Sequence, residues 1–202
     1  MSKFLVTLVA FKSTAFAKLA VESVLKHTKL NSFKLVIIDN GSNGATTELF
    51  KSYQNHPNVH VIINKENIGF PAAVNQGIDY FYQHKEYDYF TTMHSDTVCC
   101  SKDWNEKLLQ VIATNPDIHC IGGMSTNQDE GQPVYGSIYQ AMRGYTHNVA
   151  NVKQLQNAPD EVERIFNSLY GDVDARVADI EAKLKDFNSF GCDNSFLTFS
   201  RK

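Results

Sequence analysis

The sequence lacks any apolar run long enough to cross a membrane. Its first candidate, Phe4 to Phe11, is eight residues long, against the roughly 18 or more that a spanning helix needs. With Met1-Ser2-Lys3 ahead of it and Ala15-Phe16-Ala17 behind, the run mimics a secretory signal with an A-x-A site. Lys12 ends it early, however, and the same residues read better as a buried strand feeding a helix and kept in the mature protein. Cysteine is scarce, at 4 residues in 202. Cys99 and Cys100 are adjacent, Cys120 and Cys192 stand apart, and no C-x-x-C pair occurs. That spacing speaks against a disulfide framework or a cysteine zinc site and for a reducing, cytoplasmic compartment. Neither sign of charge dominates: 19 Lys+Arg against 22 Asp+Glu give 19 − 22 = −3. With a pI near 6.1, unspecific duplex binding or adhesion to anionic membranes is disfavoured as the main task. No nucleic-acid partner is expected, while peripheral membrane contact through a local basic patch stays open. With 11 Gly and 5 Pro, the chain is neither collagen-like nor of low complexity. There is no GxxxxGK[ST], no GxGxxG, no Gly-x-Ser-x-Gly and no HExxH, so a P-loop, a dinucleotide fingerprint, a hydrolase elbow and a zincin site all lack support.

The remaining composition is that of a globular protein, 43% apolar and 11% aromatic. Length predicts one domain, or one domain with an insertion. Such a chain buries roughly 70% of its unfolded surface and needs no covalent or metal staple.

The first half alternates strand and helix patterns. Residues 3–11 are rich in β-formers. Ser13 or Thr14 can cap a helix with Phe16, Leu19, Ala20 and Val24 on one face. Phe33–Ile38 is a second strand, ending at the turn signal Asp39-Asn40-Gly41-Ser42-Asn43-Gly44. A short helix near 45–53 and a strand at 58–63 follow. Pro71 suits the first turn of a helix reaching about residue 84. Tyr87–Met93 is a fourth strand. Ser101 can cap a helix bearing Trp104, Leu108 and Ile112, and Ile118–Met124 is a further strand. This alternation predicts an α/β fold, a mainly parallel sheet flanked by helices.

The second part reads differently. Residues 125–158 are polar and weakly periodic, as in a functional or mobile loop. Residues 160–187 carry apolar side chains at helical spacing, from Val162 and Ile165 to Leu184 and Phe187, and Gly171-Asp172 can divide them into two helices. Phe196–Ser200 is a last short strand. The expected organisation is a core over 1–124 and an appended helical and loop region over 125–202 in the same domain.

In open parallel sheets, ligands bind beyond the carboxyl ends of the strands. The polar segments fall at those ends: Asp39-Asn40-Gly41-Ser42 after strand two, Asn67-Ile68-Gly69-Phe70 after strand three, and His94-Ser95-Asp96-Thr97 after strand four. Each alone reads as an ordinary turn or helix entry. Their convergence on one edge is the informative feature.

Taken together, Leu35-Val-Ile-Ile-Asp39-Asn-Gly-Ser42, Asn67-Ile-Gly-Phe-Pro-Ala-Ala-Val-Asn75-Gln-Gly77 and Tyr89-Phe-Thr-Thr-Met-His-Ser-Asp96, with Trp104 downstream, resemble the family 2 glycosyltransferases of the GT-A, Rossmann-like fold. The likeness covers residues 3 to about 124. It resumes weakly at 188–202, where Phe196-Leu-Thr-Phe-Ser-Arg201 is similar to the family's strand ending in Arg. It implies transfer of a sugar from a UDP-, GDP- or dTDP-sugar to a glycan or other hydroxyl acceptor by direct, inverting displacement. Asp39 would accept a hydrogen bond from the base. Ala10, Phe11, His94 and Ser95 would line the nucleotide pocket. Asn67 and Gly69 would open a helix whose N-terminus faces phosphate. Asp96 matches the last Asp of the family's DxD and would bind Mn²⁺ or Mg²⁺.

Two departures stand out. His94 occupies the first Asp of DxD, where it would touch ribose, favour Mn²⁺ or simply shape the turn. Family members continue past the Arg into an acidic catalytic motif, whereas this chain stops at Lys202. It is then a short member, a truncated one, or one that draws its base from 125–195, where Asp193 is the candidate. Those departures keep a second reading open, a catalytically weakened nucleotide-sugar-binding protein. A nucleotidyltransferase is a third, with no Gly-rich strand-one loop to support it.

Overall fold

The computed structural model describes residues 3–29, 31–99, 102–115, 117, 119–122, 135–137, 160, 164 and 196–201. In chain order the elements are β1 (Phe4–Ala10), α1 (Thr14–His27), β2 (Phe33–Asp39), α2 (Ala45–Ser52), β3 (Val59–Ile63) and α3 (Phe70–Gln83). They continue as β4 (Tyr89–His94), β5 (Thr97–Cys99), α4 (Trp104–Thr114), β6 (Cys120–Gly122), β7 (Tyr135–Ser137) and β8 (Phe196–Ser200).

β1 is buried along its whole length because both of its faces are covered. Its alternate residues Phe4, Val6, Leu8 and Ala10 join α1, Phe50 of α2 and Trp104 of α4 in one core layer. Leu5 and Val9 join Ala73 and Phe81 of α3 in the other. A strand covered on both faces reads as a continuous apolar run rather than an alternating one, and that is the run that imitated a signal sequence. Gly77 lets α3 lie close on β1, for a Cβ there would sit 2.4 Å from Thr7 Oγ1.

Among the described residues the main sheet has six strands, in the order β3-β2-β1-β4-β8-β6. β1 pairs in parallel with β2 and β4, and β2 pairs in parallel with β3. The parallel, helix-flanked sheet expected from the sequence is therefore present. β8 lies between β4 and β6, antiparallel to both, so residues near the end of the chain complete the sheet. β5 and β7 form a separate two-stranded ribbon.

Three local readings are corrected. Residues 135–137, read within a loop, form β7 because they pair with β5. β5 itself, at 97–99, was not expected. Ser101 lies outside the described residues, and α4 is entered through Asp103 with a left-handed φ of 52°. Aspartate tolerates that conformation, and the Asp103 carbonyl accepts from the Glu106 and Lys107 N–H groups. Of the 160–187 helical reading, Asp160 and Arg164 are helical, and the rest lies outside the described residues. No helix among the described residues is long and apolar enough to cross a membrane.

Arg201 ties the end of β8 to the end of α3. Its Nε donates to the Tyr87 carbonyl at 2.9 Å, its Nη2 to the Phe81 and His84 carbonyls, and its guanidinium lies 3.9 Å from the Phe81 ring centroid. A cation here satisfies carbonyls at a helix C-terminus and complements its dipole. Arg201→Ala is expected to cost about 2–3 kcal/mol. Thermal unfolding should show this as a midpoint lowered by roughly 4–12 °C for a domain of this size.

Candidate functional site

Strand order places the site. β1 is flanked by β2 on one side and β4 on the other, so the connection after β1 and the connection after β4 depart from a topological switch point. Ligands of open α/β sheets bind in the crevice at such a point. Phe11, Lys12 and Ser13 leave β1 there, and Ser95 and Asp96 form the turn between β4 and β5. The Ser13 hydroxyl donates to Ser95 Oγ at 3.1 Å. Ser13 holds the cap position of α1, but its side chain makes no capping bond, because it bridges the switch point instead. Phe11 is 42% exposed, with Lys12 Nζ 5.1 Å from its ring centroid.

Asp39, expected to accept from a nucleobase, takes its observed partners from the β2–α2 turn and α2. It is fully buried. One carboxylate oxygen accepts from the Ser42 N–H at 2.8 Å and the other from the Thr47 hydroxyl. Its work is to fold the β2–α2 turn, whose Ser42 Oγ then accepts from the Lys12 N–H at 2.9 Å. The sequence could not show this, since a carboxylate at a strand end serves a turn or a ligand equally well. Asp39→Ala is expected to cost about 2–3 kcal/mol by stranding two buried donors. Asp39→Asn keeps an acceptor oxygen for the Ser42 N–H and turns its Nδ2 to the Thr47 hydroxyl, which can accept instead of donating, so it should be far milder in thermal unfolding. Were Asp39→Asn to lose nucleotide affinity at unchanged stability, direct contact with the base would be restored.

The loop between β3 and α3 is built on side-chain amides. Asn40 is 2% exposed. Its Oδ1 accepts from Ile68 N–H and from Asn64 Nδ2, each at 3.1 Å, and its Nδ2 donates to Asn67 Oδ1 at 3.0 Å. Asn67 Oδ1 also accepts from the Gly69 N–H at 2.9 Å. Asn64 and Gln76 exchange two further amide bonds. Gly69, at φ 85°, turns the chain into α3, whose first turn carries Pro71. Phe70 is exposed and meets His94 edge-on at 5.0 Å. Asn67, Gly69 and His94 thus border one edge, as expected, while Asn40, Asn64 and Gln76 had not been singled out. Asn40 and Gln76 lie inside the segments that carry the family resemblance but had no role assigned there, and Asn64 is indistinguishable from ordinary loop composition.

Asp96 is half-buried in the turn after β4. Among the described residues no group of three or more His, Cys, Asp and Glu side chains could hold a metal by itself. A single carboxylate, with a histidine two residues earlier in the chain, fits a hard divalent ion that takes its other ligands from phosphate and water, as Mg²⁺ commonly does. Asp193 lies outside the described residues. Burial is the first cause of the raised pKa of Tyr53, Tyr80, Tyr87 and Tyr89, and it pushes Tyr53 and Tyr87 up to about 12. Those shifts belong to packing rather than to the candidate site.

The model of the family described as Glycosyl transferase family 2 matches residues 6–171. The chain belongs to that family. Its fold is that of the GT-A glycosyltransferases. One similar solved structure is the mannosyltransferase PcManGT from Pyrobaculum calidifontis in complex with GDP-Man and Mn²⁺, with TM-score 0.55 and 12% identity over 63% of this chain and 36% of that one. Another is S. aureus TarS 1–349, with TM-score 0.52 and 21% identity over 65% of this chain and 38% of that one. TarS 1–349 in complex with UDP-GlcNAc is similar at the same score and identity. This family 2 chain therefore matches under two fifths of the length of those structures. No curated protein matches the sequence.

Proposed function

We propose that the chain is a glycosyltransferase, or the donor-binding part of one, that moves a sugar from a nucleotide-sugar to a hydroxyl acceptor. The observation that carries this is the family match over residues 6–171, laid on a sheet whose switch point gathers Phe11, Ser95, Asp96 and the α3 N-terminus. In the proposed reaction the acceptor oxygen attacks the anomeric carbon as the bond to the diphosphate breaks, with inversion. The acceptor proton passes to a carboxylate, for which Asp193 is the candidate; a positioned base contributes about 10²–10⁴-fold. Asp96, with His94 beside it, would hold Mn²⁺ or Mg²⁺ against the diphosphate. A divalent ion there offsets the charge that gathers on the leaving group. Ala10 and Phe11 line the base side, and the first turn of α3 offers N–H groups to phosphate. The neighbours' complexes with GDP-Man and UDP-GlcNAc support the donor class but not a particular base. Cysteine usage supports a cytoplasmic setting.

The test is a thermal-shift screen of UDP-, GDP- and dTDP-sugars with and without Mn²⁺, followed by assay of nucleoside diphosphate release with acceptors. The expected result is stabilisation by one donor class that grows with Mn²⁺, then acceptor-dependent release. Stabilisation by no nucleotide sugar would overturn the proposal. His94 in place of an acidic residue favours a second reading, a donor-binding protein of weakened activity, which tight donor binding without turnover would establish.

A further inference from the structure

The β2–α2 turn and the β3–α3 loop are joined by a relay whose amide orientations the backbone dictates. The Ile68 N–H can only donate, so the Asn40 atom facing it must be oxygen. The Gly69 N–H likewise requires oxygen on Asn67. Asn40 Nδ2 then points at Asn67 Oδ1, and Asn64 must present its Nδ2 to Asn40 Oδ1. Asn64 Oδ1 is left to accept from Gln76 Nε2 at 2.9 Å, inside α3. The Asn40 N–H meanwhile donates to the Ala10 carbonyl at 2.9 Å. One nearly buried residue thereby links the end of β1 through its backbone N–H, and the β3–α3 loop and, by way of Asn64, the flank of α3 through its side chain.

We infer that Asn40 is a positioning residue that sets the α3 N-terminus against the nucleotide site, and that its amide, not a carboxylate, is required because it must both accept and donate. The inference rests on the nucleotide-sugar reading above. Gly41 supports it independently, since a Cβ there would lie 2.3 Å from Glu66 C, so the two loops touch backbone to backbone. An aspartate at 40 would set two acceptor oxygens against each other unless Asn67 turned over. Turning over would strip the Gly69 N–H of its acceptor while sparing the Ile68 N–H.

Native-state hydrogen exchange and calorimetric titration with UDP and GDP test this on wild type, Asn40→Asp and Asn40→Ala. In Asn40→Ala both the Ile68 and Gly69 amides should exchange at least roughly tenfold faster, and in Asn40→Asp only Gly69 should. Affinity for the nucleotide that wild type binds should fall by about tenfold in both, with β1 and β2 amides unchanged. Asn67→Ala, which removes the shared acceptor, should accelerate Gly69 as well and serves if a residue-40 variant does not fold. Unchanged exchange at Ile68 and Gly69 overturns the relay. Faster exchange with unchanged nucleotide affinity overturns the positioning role. Should wild type bind neither UDP nor GDP, the titration is repeated with dTDP; binding none of the three would overturn the functional reading and the positioning role with it, while the exchange rates still report on the relay.

Discussion

Asp96→Asn is expected to cut metal-dependent release of nucleoside diphosphate by on the order of a hundredfold or more, a loss of several kcal/mol of transition-state stabilisation. The substitution keeps the shape of the side chain and removes its charge. Asp96 is the acidic member of the β4–β5 turn, at the switch point of the sheet. If Asp96 holds the divalent ion and phosphate supplies further oxygen ligands, the ion should bind weakly without nucleotide and well with it. Titration of Mn²⁺ into wild type should therefore show tight binding only once nucleoside diphosphate is present. His94→Ala should be milder, since an imidazole brings no negative charge. Near wild-type turnover and metal dependence in Asp96→Asn would remove this residue from the metal site.

Gly41→Ala should lower stability by about 2–4 kcal/mol, the sum of strain at a positive φ and a backbone collision. Gly41 has φ +78°, and an added Cβ would lie 2.3 Å from Glu66 C and 2.6 Å from Asn67 N. The atoms in the way are backbone and cannot swing aside as a side-chain tip would. Either the β2–α2 turn or the β3–α3 loop must shift, and the Asn40 relay runs between them. The thermal midpoint should fall by roughly 4–15 °C, and nucleotide affinity should fall with it. Gly44→Ala is the control: its φ is +62°, but nothing lies within 4 Å of the added Cβ. It should show the strain alone, about 1 kcal/mol. Equal losses in the two variants would mean that the close approach of the loops contributes nothing.

Much of this was legible in the residues. Alternating strand and helix patterns over the first half predicted the parallel sheet, because periodicity is a local property that burial on one or two faces imposes directly. Turn chemistry at Asp39-Asn40-Gly41-Ser42 and Asn67-Ile68-Gly69 marked the strand ends correctly. Element boundaries moved by a residue or two, as at β4, which starts at Tyr89 and ends at His94. The resemblance drawn from these segments named the family that the match over 6–171 then established.

What the sequence by itself determined was therefore local: which segments are strands or helices, where polar turns interrupt them, and which family has them in this order. Tertiary structure decided which of those turns border the candidate site and which face each other. Asp39 turned inward because Thr47, eight residues on, supplies a hydroxyl at the right place in α2. Asn40 became a junction because pairing of β2 with β3 brings Asn64, Asn67 and Ile68 alongside it from up to 28 residues away. β8 entered between β4 and β6 because strand hydrogen bonds pair backbones regardless of sequence distance. A side chain's composition gives its capacity to donate or accept, and only the fold selects the partner.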